Sequence, residues 1–300
     1  MTPAAILVAG SANLDFVVHA ERIPAPGETV LGRGFATHPG GKGANQAVAC
    51  ARAGGVPTQM LLALGDDPFA ATLEASLAAA GVVLHVVRAT AQPTGTAFIC
   101  VGDDAENAIT VAPGANALLR PEHLPSLAGI GHLMLQLETP LDTVLAHARA
   151  ARAAGVRVVL NAAPAQRLPA ALLDAIDLLI VNRGELAAIT GVADDVEAAL
   201  DRLDVPTVVV TLGRDGCRAR HHGQALDCPA FPVTAVDTTA AGDTFCGACV
   251  AALAVGLPLG EALRRASAAA ALACTRPGAQ ASIPTARDVQ AFLDARPPVT

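Results

Sequence analysis

The 300-residue chain contains no tryptophan and no tyrosine, and Lys42 is its only lysine. Aromatic residues make up 2%, which leaves nothing to build the stacked platforms used for nucleic-acid recognition. Charged residues are scarce at 16%, and 20 basic against 27 acidic side chains give a net charge of −7. A chain of that sign is not made to hold a phosphate polymer or an anionic bilayer non-specifically. The longest uncharged apolar stretch, 244–260, is broken by glycines and Pro258, short of the ~20 apolar residues a membrane span needs. Residues 4–10 are apolar but lack a basic flank and run at once into Ser11-Ala12-Asn13-Leu14-Asp15, so they read as a first strand and not as a secretion signal. Seven cysteines, an odd number scattered through apolar segments, do not form a disulfide framework. These absences lead us to expect a cytoplasmic protein with reduced thiols, without membrane or nucleic-acid partners.

What is present is a regular alternation. Strand-like runs at 6–10, 58–64, 132–137, 156–161, 177–182 and 207–212 are separated by alanine-rich helical segments at 44–53, 68–80, 141–154 and 169–175. Long helices at 242–255 and 259–275 follow. Runs such as Leu178-Leu179-Ile180-Val181 are apolar throughout, the signature of parallel strands buried on both faces. The fold class is therefore α/β in layers. Segments 16–35 and 93–111 break the alternation with strand-like pieces at 16–18, 29–31, 96–101 and 108–111 and no helix between. They read as a small accessory sheet, placed to act as a lid over a site at the strand ends.

Four segments carry chemistry. Pro39-Gly40-Gly41-Lys42-Gly43-Ala44-Asn45-Gln46 exposes backbone N–H groups at a helix start, but Lys42 is followed by Gly43, so it is not a P-loop, and the dinucleotide fingerprint is absent too. In Ala235–Phe245, small residues lead into a long helix. The amides of 240 to 243 can converge on an anion there with Asp243 beside it, although an Asp at that point also serves simply as a cap. Asn182-Arg183-Gly184-Glu185 follows a buried strand, where a carboxamide and a carboxylate can order water around Mg²⁺. Thr211-Leu212-Gly213-Arg214-Asp215-Gly216 follows another strand; its glycines let backbone approach a nucleotide, or else form an ordinary hairpin turn. With Asn13, Asp15 and Glu138, these positions all follow a strand or open a helix, so a parallel sheet puts them on one edge. Cys246-Gly247-Ala248-Cys249, His221-His222 and the pairs Asp66-Asp67, Asp103-Asp104 and Asp194-Asp195 are better read as buried small residues, a solvated pair, and caps or turns.

Gly10–Asp15, Gly40–Asn45, Gln136-Leu137-Glu138 and Asp237–Phe245 resemble, in order and spacing over about residues 5–295, the two signatures and intervening motifs of the PfkB carbohydrate kinases. The resemblance implies a single domain over 1–300, a three-layer α/β/α sandwich with a mostly parallel central sheet and a small β-sheet lid. It implies ATP-dependent phosphorylation of D-ribose at O5, with a kinase for 2-deoxyribose or another furanose or nucleoside as the alternative. A non-catalytic sensor fits less well, since a binder needs no proton acceptor. Sugar hydroxyls would meet Asn13, Asp15, Gly41, Lys42, Gly43, Ala44, Asn45 and Glu138, with Asp243 as general base and Ala240, Ala241, Gly242 and Asp243 as anion hole. ATP would contact Asn182, Thr211, Leu212, Gly213, Arg214, Asp215, Gly216, Gly242, Asp243 and Ser267. Mg²⁺ would be held through water by Asn182 and Glu185, and an activating K⁺ by oxygens of Asp237, Thr239, Ala273, Arg276, Gly278 and Ser282. Such kinases pair their lid sheets in homodimers. Two departures from the family pattern stand out: Arg183-Gly184 between the Asn and the Glu, and Ser267 where Asn or His is usual.

Overall fold

Alternate side chains of a strand face opposite ways, so a sheet covered on both sides splits its apolar residues into two clusters. In the computed structural model, which describes residues 4–104 and 106–296, that division is clear. The chain runs through β1 (Ala5–Ala9), β2 (Asn13–Ala20), β3 (Gly32–Gly40), α1 (Lys42–Arg52), β4 (Thr58–Gly65) and α2 (Pro68–Ala79). Next come β5 (Val83–Ala89), β6 (Gly95–Val101), β7 (Asn107–Ala112), β8 (Ile130–Leu135), α3 (Leu141–Ala153) and β9 (Arg157–Asn161). Then follow α4 (Ala170–Leu173), β10 (Leu178–Asn182), α5 (Arg183–Thr190), α6 (Val196–Leu200) and β11 (Thr207–Thr211). The hairpin β12 (Cys217–His221) and β13 (Gln224–Cys228) leads to α7 (Ala241–Ala254), α8 (Leu259–Cys274) and α9 (Ala286–Asp294).

The large sheet has the order β13-β12-β11-β10-β9-β8-β1-β4-β5, parallel from β5 to β11 and closed by the antiparallel hairpin. Ile6, Val8, Met134, Ile180 and Val209 meet residues of α1, α7 and α8 in one cluster. Leu7, Ala9, Leu133, Leu179 and Val208 meet α3, α5 and α6 in the other. This is the expected three-layer α/β/α sandwich. Among the described residues no helix is long and apolar enough to cross a membrane.

A second sheet, in the order β3-β2-β6-β7, branches from the end of β1. The accessory segments pair as expected, but 29–31 is loop and the strand is β3. Three glycines and a proline give β3 little intrinsic strand preference; nine residues of it form only because β2 offers a partner, from Asn13 opposite Gly40 to Ala20 opposite Gly32. Because β2 starts at Asn13 and β3 ends at Gly40, the lid strands deliver Asn13, Asp15 and the glycine turn directly to the carboxyl edge of the large sheet.

Candidate active site

Along β2, Asn13 and Asp15 point to the same face, and both are buried. Asn13 Oδ1 accepts from Asn116 Nδ2 at 2.8 Å, while Asn116 Oδ1 accepts the Ala12 amide at 3.0 Å. Gly41 caps α1 with φ +88°, a left-handed conformation, and a Cβ there would lie 2.7 Å from the Asn13 amide, so the turn requires glycine. The turn is tied to Glu138, whose Oε2 accepts from Ser11 Oγ at 2.6 Å and from the Lys42 amide at 3.1 Å. Gly43 N–H donates to Ser11 Oγ at 3.3 Å and Ala44 N–H to the Ser11 carbonyl at 2.9 Å.

Asp243 stands in the first turn of α7, yet it does not cap that helix, which has no side-chain cap. Its carboxylate faces α1 instead: Oδ2 accepts from Asn45 Nδ2 and Oδ1 from Gln46 Nε2, each at 2.9 Å. The helix begins at Ala240, a non-glycine residue at φ +57°, an unfavourable left-handed backbone. The four amides do not all converge: the Ala241 N–H bonds to the Thr238 carbonyl at 3.2 Å, closing the turn and leaving Ala240, Gly242 and Asp243 as the candidate anion donors.

One ammonium serves the whole acidic cluster. Burial alone would push Lys42 down, but the carboxylates of Asp243, Glu138 and Glu185 outweigh it and hold its pKa above the ordinary lysine value. Asp15 is not rescued: burial first, then the negative charges of Glu138 and Asp243, push it up to about 7 against the pull of Lys42. Burial also raises Glu185. Asn182 and Glu185 form a reciprocal capping box at the start of α5, with Glu185 N–H donating to Asn182 Oδ1 and Asn182 N–H to Glu185 Oε2, both at 2.8 Å. Both residues line a cavity of about 160 Å³ together with Lys42, Asn161, Ala240, Gly242 and Asp243.

Thr211 and Gly242 line that cavity and also a neighbouring, more apolar cleft of about 540 Å³ bounded by Gly213, Arg214, Gly216, Phe245 and Ser267. Leu212 and Asp215 are absent from its lining: Leu212 packs against an apolar cluster and Asp215 is exposed. The segment is indeed a hairpin turn, joining β11 to β12, and the same turn borders the cleft.

The proposed cation ligands lie on two segments that meet beside the start of α7. Asp237 accepts the Thr239 amide at 2.9 Å and the Gly278 amide at 2.8 Å, and the amides of Val236 and Asp237 bond to the Cys274 carbonyl. Burial would raise the Asp237 pKa, but these amide bonds and the Thr239 hydroxyl keep it below the ordinary carboxylate value. Ala273 and Ser282 are buried close by in sequence, whereas the Arg276 side chain is exposed and pairs with Asp288 at 3.8 Å. An all-oxygen donor set of this kind suits a hard monovalent cation.

Of the remaining motifs the histidine pair departs from its reading as solvated: His222 is exposed, but His221 is half-buried, its Nδ1 2.8 Å from Thr207 Oγ1. Asp67 and Asp195 cap α2 and α6. Cys246 and Cys249 are buried thiols, Cys249 pushed up to about 12 by burial. Gln46, Gln136, Asn161 and Asn116 enter the site without having been singled out as site residues. The available signal was a polar residue at the end of an apolar strand run, as at Gln136 and Asn161.

Amides at the open start of α7, a carboxylate beside them and an adjoining cleft of about 540 Å³ are the parts that a group-transfer enzyme needs. The chain matches the pfkB family carbohydrate kinase domain over residues 4–286, and it belongs to that family. It is 40% identical to a ribokinase of Haemophilus influenzae, over 96% of this chain and 98% of the relative. The crystal structure of a Thermotoga maritima ribokinase superposes with a TM-score of 0.89 at 36% identity, covering 97% of this chain and 99% of that one. An Arabidopsis thaliana ribokinase complexed with ribose and ATP superposes equally well, TM-score 0.89 at 34% identity, over 97% and 99%.

Proposed function

We propose that the protein transfers the γ-phosphoryl group of ATP to O5 of D-ribose, giving D-ribose 5-phosphate and ADP. The observation that carries this reading is the Asp243 carboxylate, fixed by two amides beside the open start of α7, between the polar pocket of Asn13, Asp15, Asn45 and Glu138 and the apolar cleft. Paired acceptors and donors on rigid strands suit the vicinal hydroxyls of a furanose. As the sugar binds, the Asn45 amide turns to a ring hydroxyl and hands Oδ2 of Asp243 to the 5-hydroxyl, which loses its proton there as it attacks. The amides of Ala240, Gly242 and Asp243 receive the equatorial oxygens of the migrating group, and the cleft bordered by Thr211, Gly213, Arg214, Gly216 and Ser267 holds the nucleotide.

Glu185 and Asn182 would hold Mg²⁺ through water, and Asp237, Thr239, Ala273, Arg276, Gly278 and Ser282 would supply oxygens to K⁺. When bound, the divalent ion neutralises phosphate charge and the monovalent ion steadies the loop that shapes the anion hole. Comparing kcat/KM for ribose, 2-deoxyribose, fructose and adenosine with ATP and Mg²⁺ tests the substrate assignment; a preference for any but ribose overturns it. In the same assay, exchanging K⁺ for Na⁺ or a bulky organic ammonium is expected to lower activity. Equal rates in all three salts would remove the monovalent site.

We place the activity in the cytoplasm, in keeping with free thiols at all seven cysteines. The protein also pairs through its lid. Ile109 and Val111 are 55% and 40% exposed on the face of the small sheet that they share with Val17 and Ile99, an apolar patch that a second copy would cover. Sedimentation is expected to give a dimer and Ile109→Glu a monomer; a monomeric parent protein at all working concentrations excludes this arrangement.

A further inference from the structure

Below the acidic cluster lies a chain of carboxamides, of which only Asn161 reaches the small cavity beside Asp243, while Gln46 lines neither that cavity nor the nucleotide cleft. Gln46 follows Asn45 on α1 and is fully buried. Its Nε2 donates to Asp243 Oδ1 and to Asn161 Oδ1, both at 2.9 Å, and its Oε1 accepts from Gln136 Nε2 at 2.6 Å. Asn161 is anchored in turn by donating to the Ile180 carbonyl at 3.0 Å. The order of donors and acceptors admits one solution. An ionised carboxylate only accepts, so Gln46 must present its NH₂ to Asp243, and its carbonyl must then face the NH₂ of Gln136. The sheet accommodates this chain at some expense. A Cβ at Gly10, just past the end of β1, would fall 1.9 Å from Gln136 Oε1, so the glycine leaves room for that side chain, whose oxygen is buried with no hydrogen-bond partner among the described residues.

We infer that Gln46, braced by Gln136 at the end of β8 and Asn161 at the end of β9, is a positioning residue for the Asp243 carboxylate. The inference rests on the proposed role of Asp243 as the base. Gln46 holds Oδ1 in every state of the cycle, so that Oδ2 alone, once Asn45 has turned away, points at the reacting hydroxyl. The two carboxylate oxygens thereby have separate duties, one structural and one chemical. Misplacing a reacting group by about 1 Å can cost about 10²-fold in rate, and the brace removes that freedom without entering the substrate pocket.

Gln46→Met keeps the length of the side chain and removes both donors. It is expected to lower kcat about 10–100-fold while KM for ribose and for ATP stays within about threefold, because Gln46 contacts neither. In an Asp243→Asn background, followed by single-turnover transfer of labelled phosphate, the same substitution is expected to add less than a twofold loss, since the carboxylate it positions is gone. A kcat within twofold of the parent, or the same loss in both backgrounds, overturns the inference. Should Gln46→Met fail to fold, Gln136→Met loosens the brace one step away and is expected to lower kcat about 3–10-fold at unchanged KM; parental turnover in that folded variant overturns the inference equally. The Asp243→Asn single variant separates the two claims. If it turns over normally, the base assignment is wrong; if it is inactive while Gln46→Met is not, only the positioning role falls.

Discussion

Asp243→Asn lowers turnover by about 10²–10⁴-fold, the size of a general-base contribution, and leaves ribose binding within a few-fold of the parent. The structure explains why the fold should survive the change. Asp243 is held by two NH₂ groups, so an asparagine in its place turns one of its own donors toward a donor. Asn45 can resolve the clash because its Oδ1 is buried and has no partner among the described residues. A half-turn of its amide lets Asn45 Oδ1 accept from the new carboxamide, and one good hydrogen bond replaces another. Melting temperature should therefore shift by no more than a few degrees, while the proton acceptor is lost outright. Calorimetric titration with ribose, run beside a coupled ADP assay, checks both halves. Near-parental turnover in a variant that binds ribose would dismiss Asp243 as the base and leave the anion hole to be tested by itself.

The inner strands of the large sheet could be read from sequence because burial on both faces forces apolar runs such as 178–181, and the long helices because alanine-rich segments alternate with them; the half-exposed edge strands β5 and β13 carry no such run and escaped. Site residues that end strands or open helices were legible for the same reason: topology, not contact, put them on one edge. What escaped depended on contacts between distant segments. Nothing local marks β3 as a strand; it exists through its pairing with β2. The bond from the Ala241 amide to Thr238 follows from the left-handed backbone at Ala240, which alanine does not advertise. Gln46 was visible beside Asn45, but its purpose needs Gln136, Asn161 and Asp243, which lie 90, 115 and 197 positions away.

Asp15→Asn should make the protein more stable at alkaline pH and much poorer at holding its sugar. Four carboxylates, at 15, 138, 185 and 243, share the single ammonium of Lys42, and Asp15 is the one whose pKa is driven to about 7. An unfolded aspartate titrates near ~3.9. Below that value both states are protonated and Asp15 costs nothing. Between the two values the unfolded chain releases the proton and the folded one keeps it, so stability falls as pH rises, and the penalty levels off above about 7. At ~1.4 kcal/mol per pH unit the penalty approaches ~4 kcal/mol, an upper bound given local relaxation. Asparagine escapes it, so Tm at pH 8 should rise by roughly 3–6 °C for a chain of this length, with the gain vanishing toward pH 4. In the parent protein, ribose KM should fall as pH rises from 6 to 8, because only the ionised group accepts two hydroxyl protons. In the variant that dependence should disappear and KM should rise by about 10²-fold, the loss of one or two hydrogen bonds to a charged acceptor. Melts at pH 5 and 8 and KM across the same range decide the matter. A variant no more stable than its parent at pH 8 would mean that Lys42 already compensates Asp15, and that the sugar pocket is not held under electrostatic tension.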